Sequence, residues 1–408
     1  MQSGDIAWMM ISTALVVFMV PGLALFYGGM LRTRSLLNMV MMNLYCLGAV
    51  AIGWVVLGYS LSNSGSGGPI GNLNNLGLKG IKSAADLTKV AFLMTFAVIT
   101  PALISGAVAD RMKFSAWAIF VPVWSFAVYC PVTYWMYHGW MGKMGALDFA
   151  GGTVIHICAG AASLALILVL GNRHGWPEER MLPHDLVLVA LGGGILWFGW
   201  FGFNAGSAGA ANEQAARAVL NTFLGGSAGL LGWLAIERKR SGHATTLGAV
   251  SGAVAGLAAI TPAAGYVGGL WPIVFGLVSA MVCFFAVQLK VKFRYDDSLD
   301  VVGVHMVSGL VGGLLLGLLA DPGAFTKEFI DGLGSSVFGK GALKGGGFGG
   351  GALIWDQLIS MATVLVYSFV VTYVIAQLLN RTIGLRVDEA TEQRGLDVTV
   401  HAEAAYNH

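Results

Sequence analysis

The stretch Asp148-Phe-Ala-Gly-Gly-Thr-Val-Ile-His156-Ile-Cys-Ala-Gly-Ala-Ala-Ser-Leu-Ala-Leu-Ile-Leu-Val-Leu-Gly171 contains the feature that decides the fold. After its first residue it has no Asp, Glu, Lys or Arg, yet it holds a histidine at position 156. About 20 apolar residues make a helix long enough to cross a bilayer. An ionisable side chain within such a run is costly and usually faces a protein interior or a pathway. The stretch therefore predicts a membrane-spanning helix with an imidazole directed into a bundle.

The composition of the whole chain agrees with a membrane protein. Of its 408 residues, 56% are hydrophobic and 11% are charged, whereas soluble proteins average about 25% charged residues. The net charge of +2 comes without a basic patch, so nothing indicates nucleic-acid binding. The four cysteines lie in apolar runs without metal-ligand or redox spacing, which predicts small buried core residues. We therefore predict an all-α polytopic membrane protein.

Eleven apolar segments are long enough to span a membrane, and the 59 glycines distributed through the chain allow helices to approach closely in lipid. The predicted spans are 7–29, 38–60, 90–109, 115–135, 149–171, 185–206, 218–236, 245–261, 269–289, 301–320 and 354–379.

The loop charges predict the orientation of these spans. Fifteen of the 23 Lys and Arg residues fall on one side and eight on the other, and the richer side belongs in the cytoplasm. The N-terminus is then outside the plasma membrane, and an odd number of spans places the C-terminus inside. Loops 61–88 and 321–353 are predicted to be external. The polar tail, residues 381–408, has no core of its own and should lie on the cytoplasmic face or await a partner.

A second histidine, in Asp300-Val-Val-Gly-Val-His305, lies in the tenth apolar segment. Each histidine thus falls near the end of a group of five spans. This indicates a five-plus-five inverted repeat, with halves of about 1–171 and 185–320 and an extra helix at 354–379, together forming one domain over 1–380. Such repeats place their site near the bilayer midplane. The spacing from the acid to the histidine differs between the halves: it is eight residues in the first half and five in the second. The imidazole rings of His156 and His305 could meet only if the helix starts were partly unwound.

Aromatic side chains recur at helical spacing in two places. Trp200, Phe203 and Ser207 share one helix face, as do Phe92 and Phe96. A ring of aromatics can attract a small cation and block a narrow passage. Aromatic residues at helical spacing are mostly core residues, so the pattern alone favours ordinary aromatic packing and leaves the cation site as the alternative.

Asp148 also has two compatible interpretations. At the start of a helix it can cap backbone N–H groups, or it can bind a substrate cation directly. The two are compatible if the carboxylate orders the local backbone and supplies negative potential to a nearby site. No third ligand accompanies the histidines at metal spacing, so we expect no metal and no cofactor. The remaining six histidines are expected to be solvated; they are His138, His174, His184, His243, His401 and His408.

With these residues in view, the whole chain resembles the ammonium transporter (Amt/Mep/Rh) family, and its Amt branch in particular. The matching motifs occur in the family's order along the chain. They are Pro21-Gly-Leu-Ala-Leu-Phe-Tyr-Gly-Gly29, Phe96-Ala-Val-Ile-Thr-Pro101, Asp148 to His156, Gly199-Trp-Phe-Gly-Phe-Asn-Ala-Gly-Ser207, Ala259-Ile-Thr-Pro-Ala-Ala-Gly265, Gly303-Val-His305, and the tail segments Gly384-Leu-Arg-Val-Asp388 and Arg394-Gly-Leu-Asp397.

The resemblance implies a homotrimer of eleven-helix subunits, each with its own pore, and it implies roles for particular residues. His156 and His305 resemble twin histidines that line the pore. The remaining implied roles are a gate of two phenyl rings at Phe96 and Phe203, an ammonium recruitment site with Phe92, Ser207 and the supporting acid Asp148, and pore-lining positions at Trp200 and Thr261.

One segment departs from the family pattern. Members usually carry a recruiting Trp on the loop after the fourth span, but here the segment reads Trp135-Met-Tyr-His-Gly-Trp140. Tyr137 falls at the expected place and can still offer a π face to a cation, more weakly than Trp. Trp135 and Trp140 remain alternatives.

The predicted function is transport of ammonium, with methylammonium as an analogue. A dry pore would favour deprotonation, conduct ammonia past the histidines and relay the proton separately. The alternatives are a passive channel for ammonia or carbon dioxide and an ammonium sensor acting through a cytoplasmic P-II protein, which could also simply regulate transport. No nucleophile–base–orienter set indicates an enzyme.

Overall fold

The structure is a computed structural model that describes residues 2–65, 67–321, 323 and 351–406. Over these ranges the chain is helical apart from its loops, and the sole β-type pairing is an isolated bridge between Met112 and Arg386. The predicted external loop 321–353 lies mostly outside the described residues.

Eleven helices are long and apolar enough to cross a membrane, which confirms the predicted number among the described residues. Their bounds differ from the predicted ones by at most nine residues, the largest difference being at the end of the fourth helix, and most helices are longer at one or both ends. They are α1 (Ser3–Met30), α2 (Thr33–Asn63), α3 (Ala84–Ile104), α4 (Phe114–Met144), α5 (Gly152–Leu170), α6 (Leu186–Gly206), α7 (Glu213–Ser241), α8 (Thr246–Ala263), α9 (Trp271–Phe293), α10 (Val302–Leu319) and α11 (Leu353–Thr382).

Small residues bring the helix backbones into contact. Helices α1 and α6, the first of each predicted half, pack against each other along their length. A side chain at Gly192 on α6 would collide with the backbone of Gly22 and Phe26 on α1. In lipid, helices associate through such close packing because burying apolar side chains against each other gains little.

Helices α5 and α10 begin irregularly, and these irregular starts lie inside the protein. The first turns, Gly152–Ile157 and Val302–Met306, are π-helical. Such π-helical turns are rare in proteins, and those that do occur are often found at functional sites. At membrane depth, irregular backbone is tolerated where protein surrounds it, and the residues of the first turn of α5 are all buried.

Buried charges join the loops at the end of the bundle that is predicted to be cytoplasmic. The Arg173 guanidinium bonds to Asp296 at 2.8 Å and to Asp110 at 3.2 Å. Arg111 donates to Ser298 at 2.6 Å and to the Asp296 carbonyl at 2.6 Å. This network ties the loop after α3 to the loops that follow α5 and precede α10.

The tail packs against this same end of the bundle. It forms two short helices, α12 (Glu389–Arg394) and α13 (Leu396–His401). The Asp397 carboxylate accepts hydrogen bonds from the backbone N–H groups of Leu37 and Asn38 at 2.9 and 2.8 Å. Of the two expectations for the tail, docking against the bundle is the one observed.

Candidate functional site

The two intramembrane histidines meet in the centre of the bundle. The Nδ1 atoms of His156 and His305 are 3.2 Å apart, and their ring planes differ by 9°. Both side chains are buried, with 1% and 3% of their surfaces exposed. When two neutral imidazoles meet through their Nδ1 atoms, one ring donates and the other accepts. The pair therefore holds one proton between its two facing nitrogens.

The outer nitrogens of the pair differ in their surroundings. His305 Nε2 lies 3.5 Å from the Tyr27 hydroxyl, whereas the buried Nε2 of His156 has no hydrogen-bond partner among the described residues. Buried polar atoms are nearly always satisfied, so an orphaned one requires an explanation. A small polar guest next to His156 would supply the missing partner.

The irregular start of α5 is built on Asp148. Its carboxylate accepts four backbone hydrogen bonds, from Gly151, Gly152, Thr153 and Val154, at 2.7 to 3.0 Å. These are the free N–H groups that every helix start must satisfy. The geometry is therefore that of the capping interpretation, with a buried carboxylate at the start of α5.

In the second half of the chain, the counterpart of Asp148 is Asp297. The prediction that Asp300 is the equivalent acid before His305 is wrong. The Asp297 carboxylate accepts from the backbone of Val301 and Val302 at 3.1 and 2.7 Å. Asp300 instead forms an ion pair with Lys290 at 2.6 Å. Asp297 precedes its histidine by eight residues, as Asp148 does, so the acid-to-histidine spacing is the same in both halves.

A narrow apolar cavity of about 10 Å³ runs past the histidines. It has room for about one water molecule. Apart from the two imidazoles, its walls are hydrocarbon and aromatic surface contributed by Met19, Leu23, Phe26, Ile99, Leu103, Ile155, Leu196, Trp200, Phe203 and Val254.

Stacked phenyl rings close one end of this cavity. Phe96 and Phe203 stack with their centroids 4.4 Å apart, and Phe92 packs on Phe96 at 4.8 Å. The aromatic side chains predicted from helical spacing are thus brought together from α3 and α6. They separate the histidine cavity from a wider one.

Trp200 lies beside the histidine pair, whereas Thr261, which was expected to line the pore, lies behind Trp200 and outside the described lining of the cavity. The Trp200 indole stacks on the His156 ring at 5.7 Å with a 16° angle between the planes. Its Nε1 donates to the Thr261 hydroxyl at 2.9 Å, which fixes the indole plane. Thr261 is itself fully buried and donates to the Leu257 carbonyl at 2.8 Å.

Beyond the phenyl rings lies a cavity of about 380 Å³, which we call the vestibule. It is at the end of the bundle that is predicted to be external. Its wall is aromatic with a few polar groups, and the described residues that line it are Met9, Trp54, Asn63, Ala85, Asp86, Lys89, Phe92, Leu93, Phe96, Tyr129, Thr133, Tyr137, His138, Phe149, Val154, Ile155, Gly206, Ser207 and Gly209.

Tyr137 is the one of the three candidate aromatics that lines the vestibule. Trp135 instead donates its indole N–H to the Pro69 carbonyl and packs on Tyr367. Trp140 is 41% exposed and packs beside Trp135. Ser207 also lines the vestibule, where its hydroxyl donates to the Phe203 carbonyl at 2.8 Å and keeps its lone pairs available.

A model of the Ammonium Transporter Family matches residues 7–406 of this chain. The chain belongs to the ammonium transporter family. It is 47% identical to an ammonium transporter of Mycobacterium tuberculosis, over all of this chain and 91% of that protein, and 43% identical to one of Bacillus subtilis, over all of this chain and 99% of that protein. The crystal structure of Candida albicans Mep2 superimposes with a TM-score of 0.85 at 33% identity, covering 96% of this chain and 87% of that one.

As a member of the ammonium transporter family, the chain is a multi-pass membrane protein and a transporter rather than an enzyme. Some of its contacts were missed by sequence reasoning. Tyr27 lies within the motif that begins at Pro21, but nothing in the sequence connects it to His305. Asp297 could have been found, because its eight-residue spacing to His305 repeats the spacing of Asp148 to His156.

Several histidines expected to be solvated make specific contacts in this ammonium transporter family member. His138 lines the vestibule and is half-buried. His174, His184 and His401 contact the tail or are part of it. These contacts join helix ends and loops that are far apart in the sequence, and a single sequence carries no periodic signal for such packing.

Proposed function

We propose that the chain recruits ammonium in the vestibule, removes its proton and conducts ammonia past His156 and His305. The observation that supports this most directly is the orphaned Nε2 of His156. It lies beside an otherwise apolar passage, beneath a two-ring gate. A molecule that can offer one hydrogen bond and carries no charge suits that position.

Recruitment is assigned to the vestibule wall. The π face of Tyr137 attracts a cation, and the Ser207 oxygen can accept a hydrogen bond from it. The buried carboxylate of Asp148 adds negative potential from behind the wall. Phe92 completes the aromatic surface on the side next to the gate. Together these groups offset part of the hydration that ammonium loses.

The Phe96–Phe203 gate sets the next step. With centroids 4.4 Å apart, the rings leave no room for a hydrated ion. Passage requires the rings to move and the substrate to shed water. Beyond the gate, an unpaired charge in low dielectric costs several kcal/mol or more, so ammonium loses its proton before it enters. Trp200 lines this part of the pore. Thr261 is not among the described lining residues and acts behind Trp200, where its hydroxyl accepts the indole N–H and holds the ring in place.

Ammonia then crosses by exchanging hydrogen bonds with imidazole nitrogens. The proton follows separately through the facing Nδ1 atoms of His156 and His305 and through water, so that the net transport is electrogenic. Potassium has no proton to lose and stays outside. Methylammonium can be deprotonated in the same way and should be a substrate.

The assembly and the tail complete the proposal. We propose a homotrimer in the plasma membrane with the N-terminus outside and the tail in the cytoplasm. The tail lies against the end of the bundle that carries the Arg173 network and is bonded to the start of α2 through Asp397. In this position it could be contacted by a cytoplasmic P-II protein, and such contact would regulate transport.

The test is a current measurement on proteoliposomes adsorbed to a solid-supported membrane. We expect a saturable current after an ammonium pulse and none after an equal potassium pulse. Protein-free liposomes are the control. If no current accompanies ammonia entry that an internal pH dye detects, the protein is a passive gas channel. If neither current nor entry occurs, a sensor becomes the better interpretation.

A further inference from the structure

The vestibule contains one titratable imidazole, that of His138, which the proposed transport steps do not use. The side chain sits at the end of the regular part of α4, where the helix is interrupted before it continues to Met144. It is half-buried and lines the same cavity as Tyr137 and Ser207. A change of charge on this ring would therefore occur inside the volume from which ammonium is recruited.

The contacts of the Asn63 amide favour one tautomer of neutral His138. The Asn63 side-chain amide donates its Nδ2 to the Tyr59 carbonyl at 3.4 Å, which directs its Oδ1 towards the imidazole. His138 Nε2 lies 3.1 Å from that oxygen. An amide oxygen only accepts, so in the neutral ring the proton is on Nε2 and Nδ1 carries a lone pair. Neutral His138 thus brings a hydrogen-bond acceptor to the vestibule.

Each element around the vestibule contributes differently to its charge. From α3 come Asp86 and Lys89, and their formal charges cancel. From α4 come the phenols of Tyr129 and Tyr137, which are neutral near pH 7. The described lining residues of α1, α2, α5 and α6 bring no charged side chain; among them are Met9, Trp54, Asn63, Val154, Ile155, Gly206 and Ser207.

It follows that His138 decides whether the described lining side chains carry a net formal charge; the Asp148 carboxylate lies behind the wall and is the same in both states of His138. With the imidazole neutral, the formal charges of the described lining side chains sum to zero; with the imidazole protonated, the sum is positive. Protonation also converts Nδ1 from an acceptor into a donor. A cation would meet an acceptor in one state and a like charge in the other.

We propose that His138 sets the affinity for ammonium according to external pH: the neutral ring favours recruitment, and the protonated ring repels the substrate. This inference rests on the proposed function, since it concerns the same vestibule. Imidazole is the side chain whose charge changes between roughly pH 5 and 8. The affinity should fall as the medium acidifies, while the maximal rate, which is set beyond the gate, should change less.

The experiment measures ammonium current against ammonium concentration from pH 4.5 to 8, with the same pH on both sides of the membrane. For the parent protein we expect the KM to rise by about threefold or more towards acid pH, as a like charge within several ångströms would cause. His138→Gln keeps an amide near Asn63 but cannot titrate, so its KM should be nearly constant. His138→Lys carries a permanent charge and should show a raised KM throughout.

His243→Gln is the matched control, because His243 is an exposed histidine on the opposite side of the predicted topology. It should follow the parent protein at every pH. A parent KM that does not change with pH, or one that rises equally in His138→Gln, would overturn the inference while leaving transport intact. Absence of any ammonium current from the parent at pH 7.5 would overturn the proposed function and this inference together.

Discussion

Asp148 and Asp297 make the same interaction in the two halves of the chain. Each carboxylate caps an irregular helix start and lies eight residues before a histidine, and the two histidines contact each other through Nδ1. The equivalence is what the predicted inverted repeat requires. Only Asp148, however, lies next to the vestibule wall; Asp297 is at the other end of the bundle, near Lys290.

This difference separates a capping role from a substrate role. Asp148→Asn removes the charge and one of the oxygens that accept N–H groups, and should destabilise the protein by about 1–3 kcal/mol. It should also raise the KM for ammonium. Asp297→Asn should lower stability comparably and leave the KM near that of the parent. Thermal unfolding in detergent and current titrations measure the two effects. Equal KM values for the two variants would exclude a role for Asp148 in recruitment.

The histidine pair should carry selectivity against potassium. His156→Ala or His305→Ala removes the shared Nδ1 contact and opens space that water can fill, so a hydrated path for ions replaces the dry one. We expect ammonium current to be accompanied by potassium current in either variant. Alternating pulses of the two cations on the same sensor give the ratio, with His243→Ala as the control. Loss of ammonium current without any gain of potassium passage would count against the selectivity role.

The hydrogen bond from Trp200 to Thr261 should matter for the shape of the pore. Thr261→Val keeps the side-chain shape but leaves the buried indole N–H without its 2.9 Å partner, at a cost of about 1–3 kcal/mol. With the indole free to tilt away from His156, the maximal current should fall. Thr261→Ser retains the hydroxyl and should behave like the parent. Equal maximal currents for the Val and Ser variants would show that the bond has no part in transport.

Tyr137 should contribute a cation–π contact. Tyr137→Ala should raise the KM for ammonium by about two- to fivefold, corresponding to about 0.5–1 kcal/mol. Tyr137→Trp should lower the KM, because indole attracts cations more strongly. The same concentration series on Trp140→Tyr is the control, since Trp140 does not line the vestibule. If the KM of Trp140→Tyr changed as much as that of Tyr137→Ala, recruitment of ammonium would be assigned to Trp140 instead of Tyr137.

The buried charge network should make stability depend on pH in a particular direction. Burial opposes ionisation of Asp296, but hydrogen bonds from Arg173 and the charge of Arg111 hold the pKa of that carboxyl below its usual range. Because the pKa is lower in the folded state, the stabilisation is present above about pH 4 and is lost as the pH falls through the folded value.

Asp296→Asn should therefore cost about 3–5 kcal/mol at pH 7, since it leaves Arg173 buried with one partner fewer. The difference in the free energy of unfolding between this variant and the parent should become smaller below about pH 4. Unfolding in denaturant at several pH values measures this, with the exposed Glu213→Gln as the control. If the difference in the free energy of unfolding were the same at pH 3 as at pH 7, the lost stability would come from packing and not from charge.

The sequence by itself determined the class of the protein and most of its site. Apolar runs of bilayer length specify helices one at a time, because backbone hydrogen bonds within a helix are local and lipid demands that they be satisfied. Histidines within such runs, at His156 and His305, stand out for the same reason. Helical spacing also placed Phe92 with Phe96, and Trp200 with Phe203 and Ser207, on common faces.

Tertiary structure decided which of these groups meet. The π-helical starts bring His156 and His305 to 3.2 Å, and Tyr137 rather than Trp135 or Trp140 lines the vestibule. The approach of the end of α2 to His138 determines the hydrogen-bond partner of that imidazole, and the start of α2 holds the tail through Asp397. Such contacts join residues up to several hundred positions apart and depend on how whole helices cross. Helical periodicity specifies the face of a single helix, but only the packed bundle fixes which face meets which.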